Sequence, residues 1–202
     1  MKKQIILGLA LAATVFSCST DDTSDIVIND NSVTNNTSGV GPTDPSTIFL
    51  SGTYTEDLTL DANNTYKLNG SLIMASGTTL TIPPCMTIKA LSSGADVYIA
   101  ISQGAQIIAN GTADCPIVFT SDAASPAAGD WGGLILLGKA PINSVTGTNT
   151  ATSEIASLPY GGNVANDNSG SLSYVRVEYS GGAADGQSEN NGFSFYGVGN
   201  AT

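Results

Sequence analysis

The side chains in this chain with the greatest scope for chemistry are carboxylates. Asp114, Asp122 and Asp130 recur within one short stretch. Glycoside hydrolysis uses two carboxylates that face one cleft, and elimination from a uronate uses a base together with a cation. The chain has no His, and beyond its first residues its cations are Lys67, Lys89, Lys139 and Arg176. Each of the three Asp residues adjoins a turn, where Asp is common for conformational reasons. This inventory favours a non-catalytic protein and assigns no catalytic residue.

A polar loop at residues 181–192 carries a second group of oxygen donors, namely Asp185, Glu189, Asn190 and Asn191. Carboxylate and amide oxygens are the ligands that Ca²⁺ prefers, so Asp185 and Glu189 are candidates for a calcium site. Their order does not match an EF-hand loop, and a solvated turn is the alternative. We treat the four residues as candidate ligand-binding residues, and expect no cofactor beyond this calcium ion.

The single Trp lies between glycines, in the run Gly129–Gly133. The flat apolar face of Trp131 matches that of a sugar ring, so Trp131 and its neighbour Asp130 are candidate ligand-binding residues. The alternative is that Trp131 packs over the end of the following strand while the glycines permit a tight corner. We favour packing.

The N-terminus has the features of an export signal. Two lysines precede an apolar stretch, residues 5–16, which is too short to span a membrane. Ser17-Cys18 follows, and a cysteine after a small residue at this place resembles the lipobox of bacterial lipoproteins. The resemblance implies cleavage before Cys18 and lipidation of its sulfur, with residues 1–17 as signal peptide. An ordinary signal peptide with an unrelated Cys is the alternative.

The segment after Cys18 is polar and acidic. It begins Ser19-Thr20-Asp21-Asp22, which resembles the surface-export signal of Bacteroidota lipoproteins. Low hydrophobicity and net negative charge predict a disordered tether over residues 18–47. We therefore expect a protein held on the cell outer membrane by its lipid and displayed at the cell surface, since two acyl chains anchor stably.

Cys85 and Cys115 are the two cysteines beyond the anchor. An even pair in an exported protein is most simply a disulfide. Both flank predicted strands, so they can occupy equivalent corners of neighbouring coils. The alternative is two buried free thiols, because Cys is often buried. A zinc site is not expected, since it usually takes His or four Cys ligands.

Short apolar runs set the expected fold. They include Leu80–Ile82, Tyr98–Ile101, Ile107–Ala109, Ile117–Phe119 and Leu134–Leu137, each bounded by turn residues. None can bury its apolar side alone, whereas strands stacked along an axis share one core. The pattern predicts an all-β parallel β-helix, or solenoid, over residues 48–202, with Ile107, Val118 and Ile135 pointing inward.

Residues 140–170 form a long stretch with few strand signals. A loop of this length in a solenoid is either a binding excursion or a mobile insertion. Ile155, Leu158 and Tyr160 are the apolar residues expected to hold its middle against the coils. In the following strand, alternation places Val175, Val177 and Tyr179 inward and Arg176 and Glu178 outward.

A series of motifs in order resembles a family of Bacteroidota surface lipoproteins with a right-handed parallel β-helix. The motifs are Gln103–Ile107, Asn110–Ser121, Gly129–Ala140, Tyr160–Gly162, Leu172–Tyr179 and Asn191–Gly199. Members usually continue for several more coils, so the resemblance implies a shortened member or a fragment. Because the family is largely uncharacterised, it implies the fold more than an activity.

Three functions are compatible with these features. A net charge of −11 disfavours nucleic acid as a partner. We favour a non-catalytic binding or scaffold module that recognises glycans or other surface proteins. The first alternative is a polysaccharide hydrolase or lyase, which rests on fold analogy. The second is a structural protein that self-associates by stacking exposed β-helix ends.

Overall fold

Short strands joined by tight corners make up the part of the chain that the computed structural model describes, residues 46–144, 147–185 and 188–202. The predicted signal peptide, Cys18 and the tether up to Pro45 lie outside these residues. No described residue is helical, and the described ranges therefore contain no helix that could cross a membrane.

Successive coils carry two or three main strands each. The first coil holds β1 (Thr47–Tyr54) and β2 (Leu58–Thr59), and the second holds β3 (Thr65–Met74) and β4 (Thr79–Ile82). The third holds β5 (Thr87–Ala90), β6 (Gly94–Ile101) and β7 (Gln106–Asn110). The fourth holds β8 (Ile117–Ser121), β9 (Trp131–Leu137) and, after an insertion, β12 (Gly170–Ser173). The insertion contains β10 (Thr150–Thr152) and β11 (Pro159–Gly161), and the fifth coil holds β13 (Val175–Val177) and β14 (Phe193–Tyr196).

Corresponding strands of neighbouring coils pair in parallel and build three faces. The first face contains the first parts of β1 and β3, then β5, β8 and β13. The second contains the remaining parts of β1 and β3, then β6, β9 and β14. The third contains β2, β4, β7 and β12. Parallel pairing between coils, with each coil turning through these faces, is the predicted β-helix.

The interior is filled by columns of apolar side chains, one from each coil. One column contains residues in direct register, Ile48, Tyr66, Ile88, Phe119 and Val177. The middle three are at most 4% exposed. Because inward positions recur every second residue, each strand contributes little on its own, and burial comes from the coils above and below.

A second apolar cluster lies on the outer side of the second face. It contains Tyr98, Ala100, Ile135 and Leu137, and Ile155, Leu158 and Tyr160 of the insertion pack against it. The expected role of those three insertion residues is therefore confirmed. The inward assignment of Ile135 is wrong, because this residue alternates with Leu134 and Leu136 of the main core and is covered from outside.

Val118 and Tyr179 also depart from the expected orientation. Ile117 and Phe119 belong to the main core, so the intervening Val118 points outward, in register with Thr87 and Arg176. Tyr179 lies beyond the end of β13, has a φ of 57° and is 43% exposed. Val175 and Val177 pack against the core as expected.

The structure pairs Cys85 and Cys115 in a disulfide. The two residues precede β5 and β8, which are adjacent strands of the first face, and the Cys85 amide donates a hydrogen bond to the Cys115 carbonyl oxygen. The bridge therefore joins equivalent corners of neighbouring coils, as the sequence predicts.

The last coil leaves an apolar end. Phe195 is in register with the fully buried Leu136, yet it is 51% exposed. Its ring stacks on that of Phe193, with 6.0 Å between the ring centroids. No further described strand pairs with β12, β13 or β14 on this side. The stacking alternative stays a prediction.

A candidate ligand-binding cleft beside the insertion

Trp131 is fully buried, although the sequence made it a candidate sugar platform. Its indole Nε1 donates a hydrogen bond to the Glu178 carbonyl oxygen at 2.8 Å, and its ring lies 6.4 Å from that of Phe119. A ring with no exposed surface cannot stack on a sugar. The packing alternative is therefore correct, and Trp131 is no longer a candidate ligand-binding residue.

Asp130 organises the turn between β8 and β9. Its Oδ2 accepts hydrogen bonds from the Ser121 hydroxyl and from the Ala127 amide. The Ser121 hydrogen bond, followed by the Ala127 amide, lowers the pKa of Asp130. These bonds give the carboxylate a structural role in the turn.

Asp122 lies between two lysines on the outer side of the first face. Its carboxylate oxygens lie 2.8 Å from Lys67 Nζ and 3.7 Å from Lys89 Nζ. The hydrogen bond from Lys67 is the main reason that the pKa of Asp122 is lowered. Lys67 and Lys89 are in register on β3 and β5, so Asp122 offsets the repulsion between two stacked like charges. Asp114 takes no part in this group.

The loop at residues 181–192 is folded back on itself. Ala183 and Glu189 form an isolated antiparallel bridge, and the Asp185 carboxylate accepts a hydrogen bond from the Ser188 amide. Asn190 is buried against Gly132 and its Nδ2 has no hydrogen-bond partner among the described residues, whereas Asn191 is exposed. The described residues contain no group of three or more His, Cys, Asp or Glu that could hold a metal. Gly186 and Gln187 lie outside the described residues, and calcium here stays a prediction.

A cleft lies between the insertion and the corner that follows the second face. Its volume is about 540 Å³. The outer side of the second face supplies Thr53 and Ile73, and the insertion supplies Leu158 and Pro159. The remaining lining residues belong to the corner that follows this face, namely Ala75, Ser76, Ser102, Gln103 and Lys139.

The polar side of the cleft is built by three successive coils. Met74, Ile101 and Leu136 are in register, so the residues that follow them turn the same corner one above another. This brings together Ser76, Gln103 and Lys139, although they are far apart in sequence. The regular parallel stack thus creates the cluster.

Gln103 and Asp167 fix this corner against the insertion. Gln103 Nε2 donates hydrogen bonds to the carbonyl oxygens of Gly138 and Gly161, at 2.8 and 2.7 Å. The buried Asp167 accepts a hydrogen bond from the Lys139 backbone amide at 3.0 Å. The start and the end of the inserted loop are therefore held to one point of the β-helix.

No described carboxylate oxygen lies within 4.0 Å of the Lys139 ammonium group. Within the described ranges the ion pairs are Lys67–Asp122, Lys89–Asp122 and Arg176–Glu178, all on the first face. The cleft thus combines apolar patches, hydroxyl and amide groups and one ammonium. This combination is typical of sites that bind small polar molecules with apolar faces.

The sequence pattern alone did not predict this site. Lys139 was noted only as one of a few cations, and Leu158 only as a packing residue. Ser76 and Gln103 gave no signal, because a polar residue beside a corner glycine is ordinary turn chemistry. The length of the 140–170 loop was the single usable hint.

A comparison with protein-family models gives one match. The family described as "Pectate-lyase like beta helix domain" matches residues 52–202. The chain belongs to this family. Searches of curated proteins and of solved structures found no match. The family agrees with the observed β-helix and fits both a binding module and a carbohydrate-active enzyme.

Proposed function

We propose that this protein is a glycan-binding module anchored by lipid to the surface of a bacterial outer membrane, in the Bacteroidota. The observation that carries the proposal is the cleft beside the insertion. Its volume of about 540 Å³ suits one or two sugar units rather than a protein surface.

The lining has the chemistry that sugars require. Ile73, Leu158 and Pro159 offer apolar surface to the C–H faces of a pyranose ring, while Ser76 and Ser102 offer hydroxyl groups. A sugar unit has both kinds of surface, so this pairing of patches supports carbohydrate over a purely apolar ligand.

The composition of the cleft also favours binding without cleavage. None of its described lining residues is a carboxylate. Glycoside hydrolysis generally uses two carboxylates that flank the scissile bond, and the described lining of the cleft does not supply them. Asp122 and Asp130 are engaged with Lys67 and Ser121, outside the cleft.

The leader supports the location. Cys18 follows a basic start and a short apolar stretch, which is the pattern of a lipidated export signal. Expression of the full chain and of Cys18→Ser in a Bacteroidota host tests this. The full chain should fractionate with outer membranes and be cleaved by protease added to intact cells, and Cys18→Ser should be released from the membrane. Retention of both proteins in the membrane fraction would contradict lipid anchoring through Cys18.

A glycan array run beside a reducing-end release assay tests the function. The chain with Cys18→Ser should bind one or more polysaccharides and release no reducing ends from them. Ser76 is exposed on the cleft, so Ser76→Trp should fill it and lower the affinity at least tenfold. Thr59→Trp, at an exposed position on the third face, is the matched control and should bind normally.

Two results would reject the proposal. Equal binding by Ser76→Trp and Thr59→Trp would remove the cleft from recognition. Reducing-end release that depends on the folded protein would favour the enzyme alternative.

A further inference from the structure

We propose that the cleft selects a sugar unit carrying one negative charge, a carboxylate or a sulfate ester, through the ammonium group of Lys139. This inference rests on the proposed glycan-binding function and names its ligand class.

The charges around the cleft favour an anion at Lys139. The chain has a net charge of −11, which repels anions in general. Of the four cations in the described ranges, Lys67, Lys89 and Arg176 each lie within 4 Å of a carboxylate, whereas Lys139 does not. An ammonium group beside apolar walls gains more from a ligand anion than one in open water, because the local dielectric is lower.

The main chain of Lys139 is held in place, and its ammonium group lies at the corner glycine of the neighbouring coil. The hydrogen bond from its backbone amide to Asp167 holds the main chain. Its Nζ rests over the bare Cα of Gly104, beside the Ser76 hydroxyl. A cation on a fixed main chain loses less conformational freedom on binding than one on a mobile loop, which favours recognition.

Gly104 makes this arrangement possible and is a positioning residue. A Cβ at Gly104 would lie 2.6 Å from Lys139 Nζ and 2.7 Å from Ser76 Oγ, closer than side chains tolerate. Gly77 occupies the equivalent corner of the preceding coil, with a similar φ (+89° against +80°), and a Cβ there would meet nothing within 4 Å. An Ala at either position would have a similarly strained backbone. Only Gly104 borders the ammonium group.

The geometry points to one pose. The anion accepts hydrogen bonds from Lys139 and from the Ser76 hydroxyl, which are donors side by side. The ring packs on the apolar side chains of Ile73 and Leu158, which line the cleft. A neutral sugar fills the same space without the charged contact, so the charge governs selectivity and the walls supply general affinity.

Matched pairs of polymers test the inference. Calorimetry would compare a uronan with its carboxyl-reduced form, and a sulfated glycan with its desulfated form. We expect at least one charged member to bind about tenfold more tightly than its neutral partner, which corresponds to about 1.4 kcal/mol. The pair that shows the preference identifies carboxylate or sulfate as the recognised group.

Variants then assign the preference to Lys139. Lys139→Met should bring the charged-to-neutral ratio to about one, because it weakens binding of the charged form far more than binding of the neutral form. Lys89→Met removes the same charge from the first face and should keep the ratio. Gly104→Ala should lower the ratio, and Gly77→Ala, strained in the same way, should not. Circular dichroism would confirm that all four variants fold.

The outcomes separate this inference from the function on which it rests. If glycans bind but charged and neutral forms bind equally, the inference is overturned and the binding function stands. A ratio that Lys139→Met leaves intact overturns it as well. If no glycan of either kind binds, the proposed function itself fails.

Discussion

Two phenylalanines point into the β-helix from different coils. Replacing each by Ala measures how much free energy of unfolding depends on a neighbouring coil that covers the side chain. Phe119 belongs to the fourth coil and is fully buried between Ile88 and Val177. Phe195 belongs to the last coil, is in register with Leu136 and is 51% exposed. The two residues have the same side chain and the same inward orientation. They differ in whether another coil covers them.

The expected costs differ severalfold. Phe119→Ala leaves a closed cavity beside the Trp131 ring and should cost about 3–5 kcal/mol. Phe195→Ala removes a side chain that is half in water, where full burial is worth roughly 1.5–3 kcal/mol and no closed cavity forms. Its expected cost is about 1 kcal/mol, so the two variants should differ by roughly 2–4 kcal/mol.

Urea denaturation supplies the measurement. Trp131 is the only Trp of the chain and is buried, so its fluorescence reports unfolding, and circular dichroism checks the Phe119→Ala variant, where the ring contact is lost. The slope of the free energy of unfolding against urea concentration must be the same for the parent and both variants before their free energies are compared. Equal costs would refute the reasoning for the protein in solution, and would show that the last coil is covered there, as the stacking alternative requires.

Three further changes have defined outcomes. Replacing Cys85 and Cys115 together by Ala should lower the free energy of unfolding by about 3–4 kcal/mol, because the disulfide closes a loop of about 30 residues. Added reductant should lower the melting temperature of the parent chain and leave that of the double variant unchanged. The pKa of Asp122 is lowered on folding, so its stabilisation is present above pH 3.8 and is lost as the pH falls through the lower folded value. Asp122→Asn should therefore cost at most about 1 kcal/mol at pH 7, as expected for an exposed ion pair, and progressively less as the pH falls below 3.8, measured by urea titration over a series of pH values. Trp131→Phe loses the hydrogen bond to the Glu178 carbonyl oxygen and should lower the free energy of unfolding by about 1–3 kcal/mol. The affinity for any glycan that the parent binds should not change. A loss of glycan binding in a variant that still folds would make Trp131 a binding residue again.

Calcium offers a separate check on the loop at residues 181–192. If Asp185 and Glu189 bind Ca²⁺, calorimetry with the metal alone should show one site that Asp185→Asn weakens severalfold, because the ligand charge is reduced. An unchanged titration for Asp185→Asn would place any bound calcium elsewhere.

Local pattern was enough to predict the β-helix. Short apolar runs with turn residues between them cannot be buried singly, so stacking was the consistent solution. The disulfide was also within reach, because Cys85 and Cys115 both precede strands and no other described cysteine competes. Orientation was harder where apolar runs are continuous. In Ile117–Phe119 and Leu134–Leu137 alternation cannot be read, and Val118 and Ile135 were assigned to the wrong side.

The sequence by itself determined the repeated strand and the corner glycines, because these depend on neighbours a few residues away. Only the tertiary structure decided the cleft. Ser76, Gln103 and Lys139 meet because three coils of unequal length return to one corner, and the insertion reaches Leu158 back over the sheet. The length of each excursion between coils sets which residues become neighbours, and no local pattern encodes that alignment.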